Sequence, residues 1–252
     1  MSAAALARRA AAAALWVALG AGLAACAGPG AGWPGGLGGP AGAGSQAIAW
    51  PVDRPQLRVG DRWVYAGREL GDSAADGRIV LERTVTRVAG DRVELRQVPL
   101  DAATRRPAGP ARARNVRLSV WHLDPGVRSS GEIRSLAFPL TPDKQWQYEY
   151  WLAAGAGDAV TTYRYQARVD GTEIVRTPAG RFDTVRVVHE GEWSRPVLER
   201  GQPALRSGAV TTTYWYAPAV GTWVRLEVDL RRADGGRELG VVQELVDYRR
   251  GR

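Results

Sequence analysis

The chain reads as an all-β protein, an antiparallel meander curled into a barrel or a half-open clam. Three observations predict it: apolar and polar residues alternate with period two after Trp50, glycine-rich turns punctuate the alternation, and no amphipathic helical pattern follows the N-terminal segment. The alternation is clearest in Val224-Arg225-Leu226-Glu227-Val228-Asp229-Leu230-Arg231, where one face is apolar and the other charged. One wet and one dry face per strand indicates antiparallel sheet, because parallel strands are covered on both sides.

Taken in order, the expected strands cover residues 62–70, 78–89, 92–98, 115–123, 146–150, 163–169, 172–176, 182–193, 210–217, 224–231 and 238–248. The turns between them fall at Ala89-Gly90-Asp91, Asp170-Gly171, Thr177-Pro178-Ala179-Gly180 and Ala233-Asp234-Gly235-Gly236. A weak internal similarity also runs along the chain. Gly60-Asp61-Arg62-Trp63-Val64-Tyr65 resembles Pro142-Asp143-Lys144-Gln145-Trp146-Gln147-Tyr148, and Val120-Trp121-His122-Leu123-Asp124-Pro125 resembles Tyr214-Trp215-Tyr216-Ala217-Pro218. Two repeated halves near 58–140 and 141–252 are one reading, chance likeness among strand-rich segments the other.

Ahead of this body lie two segments of different character. Residues 1–25 have the parts of an export signal: Arg8 and Arg9, then an Ala/Leu/Val-rich run ending in small residues, too short to span a bilayer. Residues 26–49 form a tether. Between Ala27 and Gly44 there are nine glycines and three prolines, a composition that cannot bury enough surface to fold. The folded domain is expected over residues 50–252.

Leu23-Ala24-Ala25-Cys26 resembles the lipobox of bacterial lipoproteins, and Cys26 is the only cysteine of the chain. The resemblance implies that the Cys26 thiol carries a diacylglycerol, that cleavage leaves Cys26 as the first residue, and that its amino group is acylated. Apart from this covalent lipid no cofactor is expected, and the lipid anchor makes a membrane the first partner. The neutral Ala27 after the cysteine implies, in a host with two membranes, the outer membrane with the body facing the periplasm.

Charge excludes less than it first suggests. The net charge is +8, or +6 once Arg8 and Arg9 are cleaved, but the arginines alternate with acidic residues and form no dense block. No nucleic-acid partner is expected of such an exported chain. With one cysteine there is no internal disulfide, so the core holds by packing.

Catalytic patterns are absent from the sequence. It holds no Gly-x-Ser-x-Gly elbow, no phosphate-cradling glycine loop, no His-Glu-x-x-His and no metal-binding spacing of Cys and His. His122 and His189 keep the apolar phase of their strands, so both are expected to point inward, and they lack a third ligand for a metal. Aromatic residues give the stronger hint. Trp146, Tyr148, Tyr150 and Trp151 cluster in one strand and Tyr214, Trp215 and Tyr216 in another, and consecutive aromatics must cover opposite faces.

The run Thr177-Pro178-Ala179-Gly180-Arg181-Phe182-Asp183-Thr184-Val185-Arg186-Val187, with Tyr214-Trp215-Tyr216-Ala217-Pro218-Ala219-Val220-Gly221, resembles a bacterial domain-of-unknown-function family of exported β proteins. The resemblance covers about the last 110 residues. It implies a sheet curled like the half-barrels of lipoprotein carriers and an envelope location, and it implies no reaction.

The expected function is therefore a non-enzymatic binding module. Its ligand would be an envelope lipid, glycan or protein, met by the seven aromatic residues named above together with His122 and His189. A structural or assembly lipoprotein of an envelope complex is the alternative, and a glycan or lipid hydrolase comes after it. A binding module should hold a cavity of roughly 300 Å³ or more, and an assembly protein should show a filled core with an exposed apolar patch.

The anchor is directly testable. Cys26→Ser should abolish incorporation of a tagged palmitate in growing cells, and continued labelling of that variant would overturn the lipobox assignment.

Overall fold

The computed structural model describes residues 48–70, 79–123, 128–153 and 160–252. Cys26, the export signal and residues 26–47 of the expected tether lie outside the described residues, whereas Ile48 packs against the core, so residues 48 and 49 belong to the folded body rather than to the tether. Twelve strands form one sheet: β1 (Arg62–Glu69), β2 (Ile79–Ala89), β3 (Arg92–Leu100), β4 (Arg112–Arg117), β5 (His122–Leu123), β6 (Ser129–Gly131), β7 (Gln145–Ala153), β8 (Val160–Thr177), β9 (Gly180–Glu199), β10 (Gln202–Ala217), β11 (Thr222–Arg232) and β12 (Arg237–Arg249). The order across the sheet is β5-β4-β3-β2-β1-β12-β11-β10-β9-β8-β7-β6, with every pair antiparallel. The first and last described strands, β1 and β12, thus pair mid-sheet, and two meanders run outward from them to the edges β5 and β6.

The sheet is open in its ladders but curled. Register shifts at Val64/Tyr65, Val169/Gly171, Trp215/Tyr216 and Leu230/Arg231 insert bulges, which bend and twist the strands. Among the described residues no ladder joins β5 to β6. Instead, isolated bonds draw the margins together: Leu136 N–H donates to Val120 O at 3.2 Å and Phe138 N–H to Ser119 O at 2.9 Å. Of the two expected shapes, the half-open clam is the one found.

Alternation determines what fills the concave face. Trp63, Tyr65, Val85, Val93, Leu95, Val187, Trp193, Leu226, Val228 and Leu245 all join the buried core. The β1 end is pinned by polar contacts: the buried Asp61 carboxylate accepts from Arg58 N–H and Gly251 N–H, both at 2.8 Å. The β8–β9 turn folds back to the same region, where Ala179 N–H donates to Leu245 O at 3.2 Å.

Three expectations need correction. Asp170-Gly171 is not a turn; β8 runs through it, and Gly171 supplies a bulge at φ 129°. The strand expected over 115–123 breaks after Arg117, because Leu118–Trp121 form a turn with Trp121 at φ 45°, so His122 begins a new two-residue strand. Strand β10 starts at Gln202 rather than near Val210, and β9 continues to Glu199, so this hairpin is longer than the pattern suggested. Pro196, Pro203 and Gly201 had masked it.

Gly180 sits at φ 137°, a conformation open to glycine and strained for a β-branched residue. Gly180→Val should lower stability by about 1 kcal/mol or more in urea unfolding. An unchanged midpoint would show that the turn does not depend on that backbone conformation.

Candidate functional site

The concavity is occupied by the chain's own segment 132–140, a strap that leaves β6 and crosses the clam before β7. It carries two leucines, Leu136 and Leu140, both fully buried, and its far end bridges Val52 with N–H···O bonds of 2.8 Å in each direction. Along its middle it is held by side chains of the sheet. Ile133 N–H donates to His122 Nδ1 at 3.0 Å, Trp146 Nε1–H donates to Arg134 O at 2.9 Å, and Tyr214 O–H donates to Ser135 Oγ at 3.1 Å. Lys144 Nζ caps Ala137 O at 2.5 Å and Pro139 O at 2.7 Å.

His189 makes the most constrained of these contacts. It lies fully buried on the inward face of β9, with Nε2 3.0 Å from Ser135 O and Nδ1 2.7 Å from Tyr148 Oη. A carbonyl oxygen can only accept, so Nε2 carries the hydrogen and Nδ1 accepts from the Tyr148 hydroxyl. Both ring nitrogens are thus engaged in a neutral imidazole. Burial pushes its pKa down to about 3, against a smaller upward pull from Ser135 O.

Around His189 stands a group of stacked phenols. Tyr148 stacks on Tyr165 with ring centres 5.2 Å apart, and Tyr150 on Tyr163 at 5.0 Å; both are cross-strand pairs of β7 and β8. Trp146, Tyr148 and Tyr165 present edges to the imidazole. Burial raises the pKa of Tyr148 and Tyr150 well above the ordinary phenol value and that of Tyr163 to about 12, so the cluster is uncharged across the physiological range.

Beside the strap a cavity of about 60 Å³ remains, lined by Tyr148, Tyr150, Tyr165, Thr212, Tyr214 and the buried Arg83. It has room for roughly four waters. Arg83 Nε–H donates to Gln97 Oε1 at 3.2 Å, and its guanidinium lies over Tyr65 and Trp223 at 5.4 and 5.7 Å. The surface can hydrogen-bond and stack but carries no ionised phenol or imidazole.

The nine candidate residues therefore separate into two groups. Trp146, Tyr148, Tyr150, Tyr214, Tyr216, His122 and His189 face the concavity or the strap, with Tyr216 packed edge-on against Phe138 at 5.2 Å. Trp151 and Trp215 do not. Trp151 has the opposite phase from Trp146, Tyr148 and Tyr150 along β7. Trp215 lies on the outer face, its Nε1–H bonded to Glu173 and its ring under the Arg225 guanidinium at 5.2 Å. Sequence reasoning missed Ser135, Tyr163, Tyr165, Thr212 and Arg83. The phase of Tyr163-Arg164-Tyr165 against the aromatics of β7 was the signal available for the two tyrosines.

Among the described residues no cluster of three or more His, Cys, Asp or Glu is placed to hold a metal ion, and no helix is long and apolar enough to cross a membrane.

No protein-family model matches the sequence, and no curated protein matches it either. Solved structures do match. The fold is YmcC-like: a protein of Bacteroides fragilis described as exported and as having that fold aligns with a TM-score of 0.52 at 14% identity, covering 79% of this chain and 100% of its own. A protein of Parabacteroides distasonis described as a lipoprotein aligns at 0.49 and 15% identity over 79% of this chain and 99% of its own. The hypothetical lipoprotein YmcC of Escherichia coli aligns at 0.35 and 10% over 74% and 84%.

The buried imidazole makes an acid-sensitive fold. Between pH 6.5 and 3 the unfolded chain binds a proton at residue 189 that the native chain refuses, so stability falls as pH falls through that window. His189→Gln keeps a donor for Ser135 O and removes the titration. The wild type should lose about 2 kcal/mol more than the variant between pH 6.5 and 5 in urea unfolding. Equal losses would mean that His189 takes up its proton in the native state.

Proposed function

We propose that this chain is an exported envelope lipoprotein, anchored by lipid on Cys26, whose concave sheet is a non-enzymatic binding module for an amphipathic envelope molecule. In a host with two membranes it would face the periplasm from the outer membrane. The lipobox-like Leu23-Ala24-Ala25-Cys26 supports the anchor, and a fold in common with an exported protein of Bacteroides fragilis supports the compartment.

One observation carries the binding reading: the concavity is filled by an irregular segment of the chain held by side chains and a few isolated backbone bonds, not by a ladder. A groove that takes strap 132–140 is shaped for an extended, part-apolar chain with polar groups along it. Leu136 and Leu140 occupy apolar seats, while Tyr148, Tyr214 and His189 serve polar ones. The remaining cavity of about 60 Å³ is far below the roughly 300 Å³ of an ordinary small-molecule pocket, so a ligand of that size enters by displacing the strap. The same filled interior favours the second reading, an assembly lipoprotein that is rigid inside and docks through its surface.

Native mass spectrometry of the mature protein extracted gently from its host separates the two. The binding reading expects a co-purifying lipid or glycan. It also expects Trp146→Phe, which removes the bond to Arg134 O, to raise occupancy by about fivefold by releasing roughly 1 kcal/mol of strap attachment. A bare protein in both forms, with tryptophan emission indifferent to every envelope lipid extract, would favour assembly.

A further inference from the structure

The β9–β10 hairpin runs past its neighbours. The β8 ladder on β9 stops at Thr162↔Ser194 and the β11 ladder on β10 at Gly208↔Arg232, so among the described residues 195–207 form ladders only with each other. Arg200 and Gly201, both at positive φ (52° and 79°), make a two-residue turn between Glu199 and Gln202. The result is a two-stranded arm.

Its two faces differ. Leu198 stands opposite Pro203 and Leu205 opposite Pro196, and in an antiparallel pair opposite residues share a face. From Pro196 to Leu205 that face is apolar, and it lies open: Leu198 is 75% exposed and Leu205 69%, the two most exposed large apolar side chains among the described residues. The other face carries Arg195, Glu199, Gln202 and Arg206 around the pair Val197↔Ala204, and there Arg195 bonds Glu238 at 3.0 Å and Arg206 bonds Glu199 at 3.2 Å.

The prolines decide what can cover this face. Counted from the hydrogen-bonded turn pair Glu199↔Gln202, both Pro196 and Pro203 fall at positions whose amide would point away from the hairpin partner. Each outer edge of the arm therefore lacks a donor where an added strand would need one, which discourages pairing with another chain. A protein partner docking on the face alone would meet four residues, where a standard interface uses about 20–30 a side. A lipid surface has no such minimum, since it takes up single apolar side chains as they come. Charge agrees: the arm carries Arg195, Arg200 and Arg206 against Glu199, formally 3 − 1 = +2, and with Arg195 paired to Glu238 and Arg206 to Glu199 it is Arg200 at the tip that faces an anionic surface, in a cleaved chain of net charge +6.

We propose that the arm 195–207 is a membrane-docking wedge, with Pro196, Leu198, Pro203 and Leu205 entering an anionic lipid surface and Arg200 at its rim. The N-terminal chain leaves the body at the opposite end of β10, where Leu57 packs beside Gly221. The 16 residues of β10 separate the two ends by about 50 Å. Residues 26–47 could extend to about 75 Å, so a molecule anchored at Cys26 can lie along one membrane and touch it at both ends.

The test uses the full chain reconstituted in vesicles. An environment-sensitive fluorophore is placed at Leu198→Cys, or at Leu205→Cys should the first fail to fold, with Gln202→Cys on the opposite face as control. Cys26 is common to all three, so any label there cancels. On vesicles containing phosphatidylglycerol the 198 label should shift to the blue and brighten about twofold, less so in high salt, while the 202 label stays unchanged. On phosphatidylcholine alone both should resemble the protein in detergent. Arg200→Glu should weaken the response. Indifference of the 198 label to phosphatidylglycerol would overturn the proposal. A blue shift that grows with protein concentration without lipid would overturn it in favour of a second copy of the chain. Flotation of a Leu198→Ser, Leu205→Ser variant with the vesicles reports the Cys26 anchor separately, so failure of the arm and failure of the anchor are distinguishable.

Discussion

The pairing of β1 with β12 is the constraint on which the rest depends. It joins Arg62 to Arg249 and Tyr65 to Leu245, across nearly the whole folded chain, and both meanders grow outward from it. Closing so long a loop costs entropy that no local contact offsets at the time, so this ladder needs support from its side chains. The support is visible. Arg62 bridges Glu82 and Asp247 at 2.7 and 2.6 Å, the buried Asp61 ties the C-terminal Gly251, and Tyr65 packs 4.0 Å from the Trp223 ring. Its register matters as much as its existence. A slip of one residue would turn Trp63 and Tyr65 outward and leave the concave face without its floor.

Given that floor, an open sheet of this curvature has an interior too wide for side chains of the sheet alone to fill, and the strap answers the deficit. A buried irregular segment must satisfy its backbone polar groups without a ladder. The chain does so with isolated backbone bonds to Val52, Ser119 and Val120 and with the few polar side chains that fit an apolar wall: two imidazoles, an indole and its only lysine. These contacts explain why polar residues share the apolar phase of their strands. They also set the character of the interior, because burial holds the imidazole of His189 and the phenols in their neutral forms. Burial keeps the His189 imidazole unprotonated, Tyr148 satisfies its Nδ1, and the stacked phenols pack against one another.

Period-two alternation made the sheet legible, and it placed His189 inward for the right reason. Glycine was less decisive. Gly90 and Gly235 mark turns as expected, but Gly171 allows a bulge inside one long strand, and the residue type alone does not distinguish the two. The strap was illegible because nothing periodic governs it: Leu136 and Leu140 are fully buried by tertiary contacts, and a Ser-Leu-Ala-Phe-Pro run looks like any loop. For the same reason the sequence alone shows the aromatics without the strap that Trp146 and Tyr214 hold. Trp215 was separated from its tyrosines by the pleat, and its outer-face cover of Glu173 and Arg225 comes from strands whose pairing only the fold reveals.

An open sheet must also manage its edges, and this one does so differently at each exposed place. The terminal strands β5 and β6 are two and three residues long, too short to template another chain, and the strap ties their flanks together. The hairpin arm is longer, which makes it the greater hazard, and there Pro196 and Pro203 remove the outward donors. Protection of the backbone has not extended to the side chains. Replacing Leu198 or Leu205 by a polar residue would leave the hairpin's ladder intact, since both sit in non-hydrogen-bonded pairs and pack against no core. An apolar face that stability does not require, on an arm whose edges are blunted against strand addition, is explained by contact with something outside the chain that recognises side chains and not backbone.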